Sequence, residues 1–141
     1  MGLIQKLRNA LNRGASSPES GGDDRHSLGK LGEALAASHL KRQGYTILDR
    51  NLRMGRNEID LLAQDSDKTI CFVEVKTRAK DDGIPPEAAV GPGKQAHLRH
   101  AAQIWLGQHQ KADTSYRFDV VSIIMENGKA PDITLFKDAF Q

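Results

Sequence analysis

The sequence predicts an α/β fold in which helices flank a central mixed β-sheet. Two neighbouring segments, Asn57–Gln64 and residues 69–78, alternate polar and apolar side chains with the period of two that is typical of strands. An Ala-rich apolar segment precedes them, and a second helical segment separates them from a further apolar strand. The predicted order of elements is therefore αβββαβ. Because a helix between two strands of one sheet favours a parallel crossover, the sheet is predicted to be mixed.

The first predicted helix begins near Ser27, a plausible N-cap, and stops at Gly44. Its apolar positions are Leu31, Ala34, Leu35, Ala36, Ala37 and Leu40. Glu33 lies on the same turn-to-turn row as Leu40, which is an unusual place for a carboxylate that merely faces water. Residues 1–26 are predicted to be a flexible tail with a short amphipathic helix, and residues 27–141 to be the domain.

The remaining elements follow from periodicity and turn composition. Residues 45–52 are predicted as a strand, 80–93 as a Pro- and Gly-rich loop and 94–110 as a helix. A buried strand is predicted at 118–124 and an edge strand at 133–136. Arg117 and Asp119 share a face of the buried strand, which favours a structural ion pair over catalysis.

The two clearest strands form a predicted hairpin, and its register can be deduced. If Ser66, Asp67 and Lys68 form the loop, Ile59, Leu61 and Ala63 lie together on one apolar face, opposite Val75, Val73 and Cys71. A slip by one residue would set polar side chains against apolar ones, so this register is favoured.

In this register Asp60 faces Glu74, with Cβ atoms about 4.5–5.5 Å apart. Carboxylates placed so close repel each other unless a cation neutralises them, and Mg²⁺ takes oxygen ligands from one or two carboxylates. Lys76, one row away, is placed to orient a water or contact a phosphate. The alternative is a solvated hairpin face with a Glu58–Lys76 ion pair, and spacing alone leaves both open.

Composition limits the function classes. The chain of 141 residues is long enough for one domain, and its single cysteine, Cys71, excludes an internal disulfide or a multi-cysteine zinc site. No apolar run approaches the roughly 20 residues of a membrane span, so a cytoplasmic location is expected. The aromatic fraction of 5% disfavours a protein that binds single strands by base stacking.

The net charge of +2 conceals basic clusters, because five basic side chains and one acidic side chain lie between residues 41 and 56. The basic residues predicted to contact phosphates are Arg53, Arg56, Arg78 and Lys94.

Several motifs together resemble the YraN-like family of small bacterial proteins, over roughly residues 28–121. They are Gly32-Glu33-Ala34, Arg50-Asn51-Leu52-Arg53, Asn57-Glu58-Ile59-Asp60-Leu61-Leu62-Ala63, Phe72-Val73-Glu74-Val75-Lys76-Thr77-Arg78 and Arg117-Phe118-Asp119-Val120. That family resembles a branch of the PD-(D/E)XK, restriction-endonuclease-like superfamily, and its motif layout is similar to that of archaeal-type Holliday junction resolvases.

The resemblance implies a metal site and a reaction. Carried over by position, the implied catalytic residues are Glu33, Asp60, Glu74 and Lys76, with the three carboxylates holding Mg²⁺, for which Mn²⁺ would substitute. The expected function is metal-dependent hydrolysis of phosphodiester bonds in DNA, including branched or structured DNA. The alternative is a nucleic-acid-binding module that keeps the fold with little or no catalysis. A membrane partner is not expected, and the sequence carries no signal for a homodimer.

Overall fold

The computed structural model describes residues 21–79, 83, 90–109 and 113–141. Its elements, in chain order, are α1 (Gly21–Arg42), β1 (Thr46–Met54), β2 (Asn57–Gln64), β3 (Ile70–Arg78), α2 (Pro92–Gln108), β4 (Tyr116–Ile124) and β5 (Asp132–Phe140). The predicted amphipathic segment near the start of the chain and most of the predicted loop 80–93 lie outside the described residues. No helix in the part that the structure describes has the length and hydropathy to cross a membrane.

Helix α1 is longer than predicted. It begins at Gly21, so Ser27 lies inside the helix and its prediction as the N-cap is wrong. The predicted stop at Gly44 is confirmed, because Gly44 has a φ of 94° and follows the last helical residue, Arg42. The backbone N–H of Tyr45 donates to the carbonyl oxygen of Leu40 at 3.0 Å, which closes the last turn. The division into a tail of 1–26 and a domain of 27–141 stays a prediction.

The five strands form one mixed sheet in the order β1-β2-β3-β4-β5. The pairs β1–β2, β2–β3 and β4–β5 are antiparallel, whereas the pair β3–β4 is parallel. Helix α2 provides the crossover that this parallel pair requires. The predicted α/β class is confirmed, β3 is the central strand, and β5 is an edge strand that extends beyond the predicted residues 133–136.

The β2–β3 hairpin has the predicted register where the two strands are paired. The backbone N–H of Asp65 donates to the carbonyl oxygen of Thr69 at 2.9 Å, across the three-residue loop. Leu61 then pairs with Val73 and Ala63 with Cys71. The pairing ends at Leu61. The prediction that Asp60 faces Glu74 as its partner in the ladder is therefore wrong.

Two apolar layers cover the sheet, one under each helix. The layer under α1 contains Leu61, Ala63 and Cys71, and the layer under α2 contains Phe72 and Trp105. Cys71 is buried, as predicted, and burial raises the pKa of its thiol to about 12. Trp105 also lies in the core, where it packs edge-on against Phe72 with ring centroids 6.0 Å apart.

The prediction that Ile59 shares a face with Leu61 and Ala63 is wrong, because Ile59 packs in the α2 layer. The regular pairing is interrupted beside it. Among the described pairs, Arg50–Leu61 is followed by Leu52–Ile59, with none between, and Asn51 has a φ of 50°. This irregularity lies next to Asp60 and separates the paired part of the hairpin from the part that carries the polar residues.

The end of the sheet where β3 and β4 begin contains a second polar cluster. The Arg117 guanidinium Nε donates to both carboxylate oxygens of Asp119, at 3.0 and 3.2 Å, and Asp119 is fully buried. The predicted structural ion pair is therefore confirmed. It lies at the opposite end of β3 from Lys76, so it holds the sheet together away from the candidate site.

Candidate functional site

The candidate site lies where β2 and β3 stop pairing. Beyond the Leu61–Val73 pair, the described ladder contains no backbone partner from β2 for β3. A side chain of β2 takes the place of that backbone partner. The Asp60 carboxylate oxygen Oδ2 accepts a hydrogen bond from the backbone N–H of Val75 at 2.9 Å. Asp60 is therefore held beside the strand that carries Glu74, although the two residues do not pair in the ladder.

Glu74 is a buried carboxylate that the surrounding protein leaves only partly neutralised. The residue is 4% exposed, and its oxygen Oε2 is buried with no hydrogen-bond partner among the described residues. Burial, followed by the nearby Asp60 carboxylate, raises the pKa of Glu74 to about 8, against the opposing effect of Lys94 and Lys76. The free protein therefore keeps two carboxyl groups together in a place where their full ionisation is costly.

Two lysines approach the same oxygen of Glu74 from different elements. Lys76, on the same strand, has its Nζ 3.9 Å from Oε1, and Lys94, in the first turn of α2, has its Nζ 3.8 Å from Oε1. The described residues contain no Glu58–Lys76 ion pair, so the predicted pairing of Glu58 is wrong and Glu58 faces solvent. The contact between Lys94 and Glu74 was not predicted, because it depends on where the crossover helix begins.

Glu33 projects from α1 towards the same region. Burial raises the pKa of Glu33, a hydrogen bond from the Asn51 side chain opposes the shift, and the Asp60 carboxylate adds to it. Asn51 has a left-handed φ of 50°, a conformation that Asn adopts more readily than most residues. Sequence reasoning missed this positioning contact, and the only available signal was an Asn inside a strand, where Asn is disfavoured.

A glycine allows α1 to approach β3 closely beside Glu33. A Cβ atom added at Gly32 would overlap the hydroxyl oxygen of Thr77 on β3, whereas one added at Gly29 would meet nothing within 4 Å. A side chain at position 32 would therefore displace either the Thr77 hydroxyl or the helix from its place on the strand. This contact sets the distance between Glu33 and the acidic residues of the sheet.

We expect Gly32→Ala to destabilise the fold by about 1 to 3 kcal/mol, since overpacking at a tight helix–strand contact forces the elements apart. The matched change Gly29→Ala should instead stabilise it by up to about 1 kcal/mol, because it gains helix propensity in open space. Urea denaturation of both variants measures the difference. Equal effects of the two substitutions would show that the close approach at Gly32 does not matter.

The other residues predicted to contact phosphates lie on different elements and differ in exposure. Arg53 is exposed on β1, and Arg56 is exposed in the turn between β1 and β2. Arg78 ends β3 and is half-buried. These arginines and the two lysines place positive charge around the Asp60–Glu74 pair, which suits an anionic ligand.

The acidic pair fits a divalent cation, although the described residues contain no cluster of three His, Cys, Asp or Glu side chains placed to hold a metal. Mg²⁺ is commonly held by one or two carboxylates while water and phosphate oxygens complete its shell. The partnerless oxygen of Glu74 and the adjacent Asp60 carboxylate supply such oxygens. Whether Glu33 joins them stays a prediction.

Fold and site together define a small α/β protein in which a buried carboxylate, Glu74, lies beside Asp60 and two lysines where two strands separate. The profile of the uncharacterised protein family UPF0102 matches residues 32–123. A UPF0102 protein of Geotalea uraniireducens is 45% identical over 118 residues, which cover 84% of this chain and 92% of that protein. One of Prosthecochloris aestuarii is 46% identical over 120 residues, covering 82% and 94%. The chain therefore belongs to UPF0102, the YraN-like family, and the predicted resemblance is confirmed.

Two solved structures are similar to part of this chain at low sequence identity. A repair endonuclease from Pyrococcus abyssi matches 70% of this chain and 39% of its own, with a TM-score of 0.40 and 15% identity. SfsA of Pyrococcus furiosus, solved in complex with Ca²⁺, matches 78% of this chain and 62% of its own, with a TM-score of 0.37 and 16% identity. The chain thus spans less than two thirds of either protein.

Proposed function

We propose that this protein is a metal-dependent nuclease that hydrolyses phosphodiester bonds in DNA. One observation carries the proposal: Glu74 is buried against the Asp60 carboxylate with a partnerless oxygen, and two lysines flank it. Two adjacent carboxylates are costly to ionise unless a cation joins them, and a phosphate chain brings the opposite charge to the lysines.

Each residue has a proposed role. Asp60 and Glu74, with Glu33 as a third carboxylate, would hold Mg²⁺ or Mn²⁺, which would supply a Lewis acid for the phosphate and lower the pKa of water. Lys76 is 35% exposed at its side chain, so its ammonium group can reach beyond Glu74 to orient the attacking water. Hydrolysis forms a bond from the water oxygen to phosphorus and breaks one P–O ester bond, and the departing oxygen takes up a proton.

DNA recognition is proposed to use charge rather than base stacking. Arg53 pairs with Glu58 in the β1–β2 ladder, two residues from Asp60, and Arg56 lies in the turn between these strands. Lys94 reaches Glu74 from α2. Contacts of this kind bind the phosphate backbone and weaken as the salt concentration rises. They suit a substrate that is chosen by shape, such as branched DNA.

Cleavage of linear, flapped and four-way DNA with Mg²⁺ and Mn²⁺ tests the proposal. We expect wild type to cut at least one of these substrates and Glu74→Ala to be slower by more than about 100-fold, since even loss of a ligand's outer partner costs 10–100-fold. Glu126→Ala, which removes a carboxylate paired with Lys129 between β4 and β5, is the control. No cleavage by wild type, with salt-sensitive binding that persists in Glu74→Ala, would favour the binding module.

A further inference from the structure

The least expected contact at the site is that of Lys94, because it comes from a different element and competes with the role proposed for Glu74. Its Nζ lies 3.8 Å from Oε1 of Glu74, and its side chain is 41% exposed. The same oxygen has Lys76 at 3.9 Å. Two ammonium groups therefore share the charge of one carboxylate that is itself buried.

A divalent cation bound to Glu74 would change this balance. It would neutralise the carboxylate and repel both ammonium groups, since like charges a few ångströms apart destabilise one another. Lys76 is fixed close to Glu74 because both residues project from β3. The Lys94 side chain is more exposed than that of Lys76, and its flexible four-carbon chain extends from α2 rather than from β3. Lys94 is therefore the lysine that can move away from Glu74.

The start of α2 also offers donors to an anion. The helix has Gly91 as its N-cap, with no side-chain cap, and its first turn contains no acidic residue. Backbone N–H groups at an uncapped helix start bind phosphate readily. The charge of Lys94 and these donors therefore lie together at the start of the helix that reaches Glu74.

We propose that Lys94 exchanges partners: it pairs with Glu74 in the metal-free protein and contacts a phosphate of the nucleic acid when a divalent cation occupies the acidic site. The inference rests on the proposed function, because it assumes that Glu74 binds the cation. In this exchange Lys94 competes with the metal for Glu74 and binds a phosphate of the nucleic acid. Removal of the Lys94 charge must then strengthen metal binding and weaken nucleic-acid binding.

The test compares Lys94→Met and Lys94→Arg with Lys129→Met, which removes an exposed lysine whose partner is Glu126. In calorimetric titration without DNA, Lys94→Met should bind Mn²⁺ about threefold or more tightly than wild type, because one competing charge is gone. Lys94→Arg and Lys129→Met should bind it as wild type does.

Binding of a labelled four-way DNA junction is then measured in Ca²⁺ over a series of salt concentrations. Lys94→Met should bind about tenfold more weakly, and the slope of log Kobs against log salt should fall by about 1, the value of one lost phosphate contact. Lys94→Arg should restore most of the affinity and the slope. A lysine with a purely structural role would leave the slope unchanged.

The outcomes separate the two proposals. If Glu74→Ala binds Mn²⁺ as wild type does, or if wild type binds neither Mn²⁺ nor the junction, the proposed function falls and the exchange falls with it. If Glu74→Ala loses Mn²⁺ while Lys94→Met changes neither Mn²⁺ affinity nor the salt slope, the exchange alone is overturned. A change in only one of the two also overturns it.

Discussion

Glu74→Gln is expected to stabilise the metal-free protein by about 4 kcal/mol near pH 8, because it removes a carboxylate that burial and Asp60 make costly to ionise. The pKa of Glu74 is about 8 in the folded protein and has an ordinary value of 4.5. Below about pH 4.5 the group is protonated in both states and carries no cost. Between about 4.5 and 8 the unfolded state releases the proton first, so the stability of wild type falls as pH rises.

The measurement is urea denaturation without divalent cations from pH 5 to pH 9. Wild type should lose stability with a slope of at most about 1.4 kcal/mol per pH unit in this window, and Glu74→Gln should lose that slope. Glu126→Gln, which changes a carboxylate that is 41% exposed at its side chain, should keep it. If wild type and Glu74→Gln have parallel profiles, the Glu74 carboxylate is not strained in the free protein.

The same variant should also lose its response to Mg²⁺. A cation that binds only the folded protein stabilises it, and the increment grows with its concentration above the dissociation constant. Wild type should therefore gain stability in Mg²⁺ at pH 8, and Glu74→Gln should gain little. An equal gain in both would place the cation elsewhere.

Arg117→Met is expected to cost about 3 to 5 kcal/mol of unfolding free energy, since it leaves a buried charge without its partner. Asp119 is fully buried and accepts two hydrogen bonds from Arg117 Nε. Arg117 Nη2 also donates to Asp65 Oδ2 at 2.8 Å and to the Tyr45 hydroxyl at 2.7 Å. The Arg117 hydrogen bond lowers the pKa of Asp65 to about 2, so the pair keeps its charge at neutral pH.

Thermal or urea denaturation measures this loss, and two further variants define its cause. Lys137→Met should cost less than about 1 kcal/mol, because Lys137 is 58% exposed and 3.6 Å from Asp65. Adding Asp119→Asn to Arg117→Met should recover about 1 to 3 kcal/mol, since it removes the stranded charge. A loss below about 1 kcal/mol for Arg117→Met alone would show that the cluster does not stabilise the fold.

The hairpin shows what local sequence information can determine. The Ser66–Lys68 loop and the alternation on either side define one register, and the structure has that register from Leu61 to Gln64. The same alternation predicts that Asp60 and Glu74 lie near each other, but the observed ladder ends one pair earlier, at Leu61 and Val73. Beside the point where the ladder ends, Asn51 on the neighbouring strand has a left-handed φ, and the hairpin sequence does not contain that residue.

Contacts between distant elements explain most of the remaining differences. Lys94 meets Glu74 only because the crossover helix begins at that end of β3, and periodicity does not reveal where a helix begins in space. The extra turns at the start of α1 were missed because Gly21 and Gly22 have the composition of a linker. The strand β5 was underestimated because Asp138, with a φ of 53°, interrupts its alternation.

The central claim is that Asp60 and Glu74 hold a divalent cation, and anomalous scattering from Mn²⁺ in a crystal grown with that ion tests it most directly. We expect a peak between the two carboxylates, within bonding distance of Glu74 Oε2, with Lys94 moved away from Glu74. A crystal of Glu74→Gln grown in the same way should lack the peak. An anomalous map of wild type with no Mn²⁺ at Asp60 and Glu74, at an ion concentration that fills sites elsewhere on the molecule, would contradict the account.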